Sequence, residues 1–430
     1  MTYDEAIKYI HSTSNFFCKP GLERIRELCL GLGNPQKDLK FIHVGGTNGK
    51  GSFCAMTDAV LREAGYKVGL YTSPYILRFN ERMRVNGQSI SDDTLARLTE
   101  KAKCVADVMA DKPTEFELIT AIAFDYFKEE KCDIVILEVG MGGRLDATNI
   151  IEKTELSVIT GIALDHIAYL GDTIEKIAAE KAGIIKNNSI VLYGGESEDA
   201  EKVILTKAEK TNSILRKTEY TRLKITSQSL DGTSFVFKSR QNLKISLLGN
   251  YQPRNAAIVL DALDILTERG FMISEEAVKK GLNNAKWQAR FEKINTEPTI
   301  FFDGAHNLQG ISAAVDSIKT YFGNKKVIVI TGVLRDKDYH NIAKSISKVA
   351  SLVFTITPDN PRALSADDYS KEFCALGINT VPCSDIKYAL TEAIRLAKHS
   401  DIAIFCLGSL YTYGDVVSTL CDLNKTKPHL

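Results

Sequence analysis

The sequence predicts an α/β protein built on a mainly parallel sheet, and three observations predict it. Short β-branched runs alternate with stretches of helical periodicity along most of the chain. That alternation breaks once, between Leu223 and Leu247, and restarts after Phe291. At 430 residues there is room for two or three domains, and a 44% hydrophobic fraction can give each a core.

The elements follow in order. Phe41–Val44 reads as a strand, then a Gly-rich turn, then a helix over Ser52–Ala64. Lys67–Tyr71 is the next strand. Thr114 precedes a helix carrying Ile119, Ile122, Ala123 and Tyr126 at helical spacing. Ile134–Leu137, Leu156–Thr160 and Ile190–Tyr193 are further strands, with a helix beginning at Thr173 among them. Repeated βαβ units of this kind make a parallel sheet. Between Leu223 and Leu247, alternating Ile225, Phe235, Phe237, Leu243 and Ile245 surround Asp231-Gly232, a hairpin signal. A small antiparallel insert is expected there. Helices are expected over Arg254–Glu268 and Ser274–Asn283; Ser274 suits a cap, and Glu275 and Glu276 suit the positive end of the helix dipole. Thr299–Phe302, Val327–Thr331, Leu352–Ile356 and Ile402–Cys406 are the later strands. We place a boundary near residue 292, giving domains 1–292 and 293–430.

Composition narrows the function. Lys+Arg and Asp+Glu both number 54, so the net charge is +0. Neither nucleic acid nor an anionic membrane is then an expected partner. The nine cysteines, at 18, 29, 54, 104, 132, 374, 383, 406 and 421, are scattered and form no CxxC pair. Scattered thiols fit a reducing compartment. Met1–Phe17 lacks a signal-peptide core, and no apolar run approaches the roughly 18–20 residues of a membrane span. A cytoplasmic protein is expected.

The most informative segment is His43-Val44-Gly45-Gly46-Thr47-Asn48-Gly49-Lys50-Gly51-Ser52, between a strand and a helix. Glycines let backbone N–H groups curl around an anion, and the helix amino terminus adds positive potential. Lys50 can reach outer phosphates, and the Ser52 hydroxyl can meet magnesium or phosphate. Two departures separate it from the common phosphate loop: its first glycine is one residue too close to Gly49-Lys50, and Gly51 intervenes before Ser52. A glycine-rich turn with a solvated lysine is the plain alternative.

Gly46-Thr47-Asn48-Gly49-Lys50-Gly51-Ser52 resembles the loop of the Mur-type ligases, ATP-dependent enzymes that join an amino acid to a carboxylate. Four further segments narrow the resemblance to folylpolyglutamate synthase, often combined with dihydrofolate synthase. They are Thr72–Tyr75 with Phe79–Arg82, Glu138–Asn149, Asp303-Gly304-Ala305-His306-Asn307, and Gly408-Ser409-Leu410-Tyr411. The match runs from about Tyr3 to Gly414. It implies a Mur-ligase-type ATPase domain with a phosphate loop and a small antiparallel insert, followed by a smaller Rossmann-like α/β domain. ATP would sit in the cleft between the two.

The resemblance also implies roles. Gly46, Thr47, Asn48, Gly49, Lys50, Gly51 and Ser52 would hold the ATP phosphates. Ser73 and Glu138 match ligands of a first magnesium, and His166 matches a ligand of a second. Read from the residues alone, Glu138 ends a strand where ligands of parallel sheets bind, though an exposed loop glutamate is the plain alternative. A lone His such as His166 is more often a structural residue. Lys181 matches a lysine that the family carbamylates; otherwise it is a cation near a helix carboxyl end. Asn255 matches a nucleotide-contacting residue, Arg290 a phosphate-contacting arginine, and Asp303 a nucleotide-binding aspartate sharing its loop with His306. The plain alternatives are a helix start, a surface arginine and a helix cap. The family more often has His where this chain has Tyr75 and Tyr251, and Gly where it has Ala289. Thr331–Asp338 would lie near the incoming amino acid. Thr114–Glu117 and Ser73–Arg82 would approach the pterin.

The implied reaction is ligation of L-glutamate to a reduced folate, or to dihydropteroate, through an acyl phosphate. Domain closure would exclude water from that intermediate. Lys50, Lys181 and His166 are the expected catalytic groups, and a monomer is expected. Two alternatives stand beside it: a muramyl-type ligase of cell-wall synthesis, and a nucleotide-binding switch. The chain has no Asn-Lys-x-Asp tetrapeptide, which counts against a GTPase.

Overall fold

A computed structural model describes residues 1–13, 21–398 and 402–424. Cys18 lies outside them. The chain forms two compact units. The first gathers Met1–Lys224, Phe235–Lys244 and Arg254–Ala285; the second gathers Ile225–Ser234, Ile245–Pro253 and the chain from Lys286 onward.

The first unit is built on eight strands: β1 (Phe41–Gly45), β2 (Val68–Tyr71), β3 (Met83–Val85), β4 (Gln88–Ser89), β5 (Ile134–Glu138), β6 (Leu156–Ile159), β7 (Ile190–Tyr193) and β8 (Ile214–Lys217). Their order is β4-β3-β2-β5-β1-β6-β7-β8. From β2 to β8 neighbours run parallel, and β3 and β4 add an antiparallel edge. Strands β1, β2, β5 and β6 are buried at every position, which is why they read as unbroken apolar runs. One core contains Leu28, Phe41, Phe124, Phe127, Val135 and Leu137; another contains Val139, Ile159, Ile177, Ile184, Val191 and Ile204. The chain runs from β1 out to β2, returns to β5, then crosses to β6 on the other side of β1. That reversal opens a crevice at the carboxyl ends of β1 and β6, where ligands of such sheets bind.

Two helices of this unit approach closely. A Cβ on Gly281, in the helix Glu275–Asn284, would lie 2.4 Å from Val60 Cα in the helix Lys50–Glu63. Ser274 caps Glu275–Asn284 through the Ala277 N–H at 3.1 Å. The insert is β9 (Leu223–Ser229), β10 (Gly232–Phe237) and β11 (Arg240–Ile245), in the order β11-β10-β9. Two-residue turns connect these strands, so neighbours run in opposite directions.

The second unit carries β12 (Glu292–Asn295), β13 (Ile300–Asp303), β14 (Val327–Thr331), β15 (Ala350–Thr355), β16 (Asn379–Pro382) and β17 (Ile404–Leu407). The order is β12-β13-β17-β14-β15-β16, with only β12 antiparallel to its neighbour. Phe301 and Phe405 stack at 5.1 Å in its core. Among the described residues no helix is long and apolar enough to cross a membrane.

Candidate active site

Strand register sets the site of the first unit. Val44 lies opposite Glu138, Gly45 opposite Ile159, and Tyr71 opposite Leu137. The segments that follow these positions therefore emerge along one edge of the sheet. They are 45–49, 72–73, 138–146 and 160–166, and they hold Gly46, Thr47, Asn48, Gly49, Ser73, Glu138 and His166.

The phosphate loop is held from several sides. Gly46 and Gly49 have φ of 139° and 88°, backbone that glycine takes without penalty. A Cβ on Gly46 would lie 2.1 Å from Thr160 Oγ1, and one on Gly49 would lie 2.7 Å from Asn255 Oδ1. Thr160 donates its hydroxyl to the Asn48 carbonyl at 2.7 Å. The Thr47 N–H donates to the Gly161 carbonyl at 2.7 Å, and its hydroxyl accepts from the Ala163 N–H at 3.1 Å. Thr47 thus ties the loop to the segment after β6. Lys50, Gly51 and Ser52 form the first turn of the helix, with Ser52 buried.

Two lysines converge on one carbonyl. Lys50 Nζ donates to Gly46 O at 3.1 Å and to Thr47 O at 3.3 Å. Lys181 Nζ donates to Gly46 O at 2.8 Å. Lys181 is buried at the end of the helix Ile174–Ala182. Burial, with the nearby charge of Lys50, lowers its ammonium to about 7.

Ser73 and Glu138 are brought together. Glu138 is buried at the end of β5, and the Ser73 N–H donates to its Oε2 at 3.2 Å. That contact is made by the Ser73 backbone; a serine hydroxyl and a carboxylate are the kinds of hard oxygen donor that magnesium takes. His166 sits apart from this pair in character. It opens the short turn Ile167–Leu170 at φ 50°, its side chain is 41% exposed, and its N–H donates to Asp165 Oδ1 at 2.9 Å. Among the described residues no three His, Cys, Asp or Glu side chains cluster as a ready-made cation cage. Magnesium bound with nucleotide phosphates needs only one or two protein ligands.

Behind Glu138, buried polar groups fix the turn. Asp146 Oδ2 accepts from the Met141 N–H at 2.9 Å, and Oδ1 accepts from the Thr148 N–H at 3.0 Å. Thr148 also meets His43 Nε2 at 2.9 Å. His43 is fully buried, which pushes its imidazole well below the usual range and keeps it neutral. Asn149 donates to the carbonyls of Arg144 at 3.0 Å and Gly183 at 3.1 Å, while Lys186 donates to Asn149 Oδ1 at 2.6 Å. Glu138's turn and the helix bearing Lys181 are thereby locked together. Sequence reasoning did not single out Thr160, His43, Asn149 or Lys186 as site residues. Each works through a partner distant in sequence, although His43 and Asn149 lay within quoted motifs.

In the second unit Asp303 ends β13 and is buried. Its Oδ2 accepts from Tyr251 OH at 2.9 Å and the Phe291 N–H at 3.1 Å; its Oδ1 accepts from the Ala305 N–H at 2.8 Å. Burial raises its carboxyl and Arg290 opposes that rise. The expected ligand acceptor is thus also the hub of its own loop. Arg290 Nη1 donates to the Ala289 carbonyl at 3.0 Å and would lie 2.8 Å from a Cβ on Gly304. His306 Nδ1 sits 2.9 Å from the Gly304 carbonyl. Arg290, Asp303 and His306 are therefore neighbours. Asn255 belongs with the first unit, beside Gly49.

Similarity to known proteins also falls into two parts. Residues 44–263 match the Mur ligase middle domain, and residues 289–410 match the Mur ligase glutamate ligase domain. The dihydrofolate synthase/folylpolyglutamate synthase of Bacillus subtilis (strain 168) is 37% identical over 425 residues, 96% of this chain and 98% of that protein. The folylpolyglutamate synthase of Lacticaseibacillus casei is 35% identical over 421 residues, 92% of this chain and 97% of that one. The solved structure of E. coli FolC in complex with DHPP and ADP has a TM-score of 0.87 at 30% identity, covering 99% of each chain.

Proposed function

The chain belongs to the Mur ligase family, in its folylpolyglutamate synthase branch, and from that premise we infer that it is an ATP-dependent ligase joining L-glutamate to folate. One observation carries the site reading: the phosphate loop, Ser73, Glu138 and Lys181 gather at the carboxyl edge of one parallel sheet.

A carboxylate is a poor electrophile. The folate carboxylate attacks the γ-phosphorus of ATP, giving an acyl phosphate and ADP. The amine of glutamate then attacks the acyl carbon, and the tetrahedral adduct collapses to an amide, releasing phosphate. Lys50 and the helix amino terminus hold the transferring phosphoryl. Gly46, Thr47, Asn48, Gly49, Gly51 and Ser52 shape its seat. Asn255 supports the loop at Gly49, and Arg290, Asp303 and His306 bind the nucleotide.

Ser73 and Glu138 are fit to hold one magnesium ion, and His166 a second. Magnesium, when bound, neutralises charge on the β- and γ-phosphates. Lys181 is fit to carry a carbamate, because a buried amine lowered to about 7 is about half unprotonated near neutrality, where an ordinary lysine is almost wholly protonated. A carbamate there would place an anion beside Lys50.

The pairing of dihydrofolate synthase with folylpolyglutamate synthase in the Bacillus subtilis relative favours dihydropteroate as a second acceptor. The described cysteines are all free, which fits a cytoplasmic enzyme. We place it there, acting as a monomer, a state that light scattering checks. The deciding assay follows ADP release and product mass with ATP and glutamate, using tetrahydrofolate and dihydropteroate separately. Release that depends on glutamate and on one or both acceptors is expected. Release with neither would overturn the assignment.

A further inference from the structure

Arg290 sits between two residues held in the left-handed region that are not glycine, Ala289 at φ 56° and Phe291 at φ 45°. Such backbone is unfavourable for a residue with a Cβ, and it persists only where the surroundings over-determine it. Here they do. The Ala289 N–H donates to Glu292 Oε2 at 2.7 Å, and the Ala289 carbonyl accepts from the Gly304 N–H at 2.9 Å. The Phe291 N–H donates to Asp303, and the Phe291 ring is buried against Phe301, Tyr321 and Phe405 at 5.3–5.6 Å. Glu292 is itself clamped, because Tyr413 OH donates to the same Oε2 at 2.9 Å. Phe291 and Asp303 fix one side of Arg290. Glu292 and Tyr413 fix the other, and they have no part in the reading above.

We propose that Glu292, clamped by Tyr413, is a positioning residue that holds the Ala289–Phe291 turn left-handed and so aims the Arg290 guanidinium over Gly304 at a nucleotide phosphate. The proposal rests on Arg290 being a phosphate contact. Glu292 touches no substrate; it acts through the backbone that carries Arg290. The Cβ at position 289 gives this weight. Glycine would take the turn freely, whereas alanine needs the clamp.

The test is ADP affinity by calorimetry on the full chain, with thermal unfolding as the folding control. Arg290→Ala should weaken ADP binding, which checks the premise. Glu292→Ala should weaken it about tenfold, the worth of one charge-assisted hydrogen bond. Glu292→Gln keeps an acceptor oxygen in place and should retain most of the affinity. Adding Ala289→Gly to Glu292→Ala should recover most of the loss. A structural role unconnected with the turn would not produce that rescue. If Glu292→Ala does not fold, Tyr413→Phe should weaken binding about threefold through the loosened carboxylate. Weakening by Arg290→Ala, with neither Glu292→Ala nor Tyr413→Phe affecting ADP, overturns the inference alone. Failure of Ala289→Gly to rescue does the same. An Arg290→Ala variant that binds ADP normally overturns the premise and the inference with it.

Discussion

Lys50 and Lys181 reach the same carbonyl, that of Gly46, and their environments give them different chemistry. Lys50 is partly solvated at a helix amino terminus; Lys181 is buried, and its ammonium is lowered to about 7. The role proposed for Lys50 is that of a charge. Lys50→Ala should abolish glutamate-dependent ADP release while leaving the thermal midpoint within a few degrees, because its hydrogen bonds go only to loop carbonyls. Retained turnover would end the phosphate-loop assignment. In the carbamate proposed above, Lys181 would be the nucleophile toward CO2, since only the unprotonated amine reacts. Wild-type activity should fall in CO2-depleted buffer and return with bicarbonate. Lys181→Arg should lose about a hundredfold or more, with no response to bicarbonate. Full wild-type turnover without CO2 would remove the carbamate.

At the scale of elements, the dominant feature is the docking of the Gly142–Arg144 turn on the helix Ile174–Ala182. A Cβ on Gly183 would lie 2.4 Å from Arg144 Cβ, and the Arg144 N–H donates to the Glu180 carbonyl at 2.8 Å. Asn149 and Lys186 staple that contact. Burial lowers the Lys186 ammonium from its usual 10.5 to about 7. Between those values the unfolded chain binds a proton that the folded chain does not, so stability rises with pH across that window and is lost below it. Lys186→Met lacks this rise. In urea unfolding, wild type should gain about 1–3 kcal/mol on the variant between pH 7 and 9; parallel stabilities would refute it. The central strands were legible because both of their faces are buried, leaving unbroken apolar runs. Strands β3, β4, β8, β12 and β16 were not legible. β4 has two residues, and β8 and β16 are mostly exposed edges with no apolar run to announce them. Glu138, Lys50 and Asp303 were proposed as site residues from the sequence because polar residues and glycines at the end of an apolar run have no packing reason to be there. Lys186, Thr160 and Glu292 were not, since each acts on a segment that only the fold brings near.

For the molecule as a whole, zero net charge coexists with strongly anionic substrates. Basic and acidic residues also nearly balance within each part of the chain, 39 against 40 up to residue 292 and 15 against 14 after it. Recognition must then reside in a few placed groups rather than in a general field. The apparent KM for ATP should change by less than about threefold between 50 and 200 mM salt, because short-range contacts are screened little. A tenfold or larger rise would point to long-range steering instead.

The seat of the phosphate loop has a consequence for portability. Its floor is assembled from Thr160, Lys181 and Asn255, which arrive from three later stretches of chain. The strand, loop and helix spanning Phe41–Glu63 are therefore not a detachable cassette. Transplanted into another parallel sheet, that segment would carry its glycines and Lys50 but none of the props that give them their shape. The shape of the loop is a property of some two hundred residues, and the seven of the motif are only its visible part.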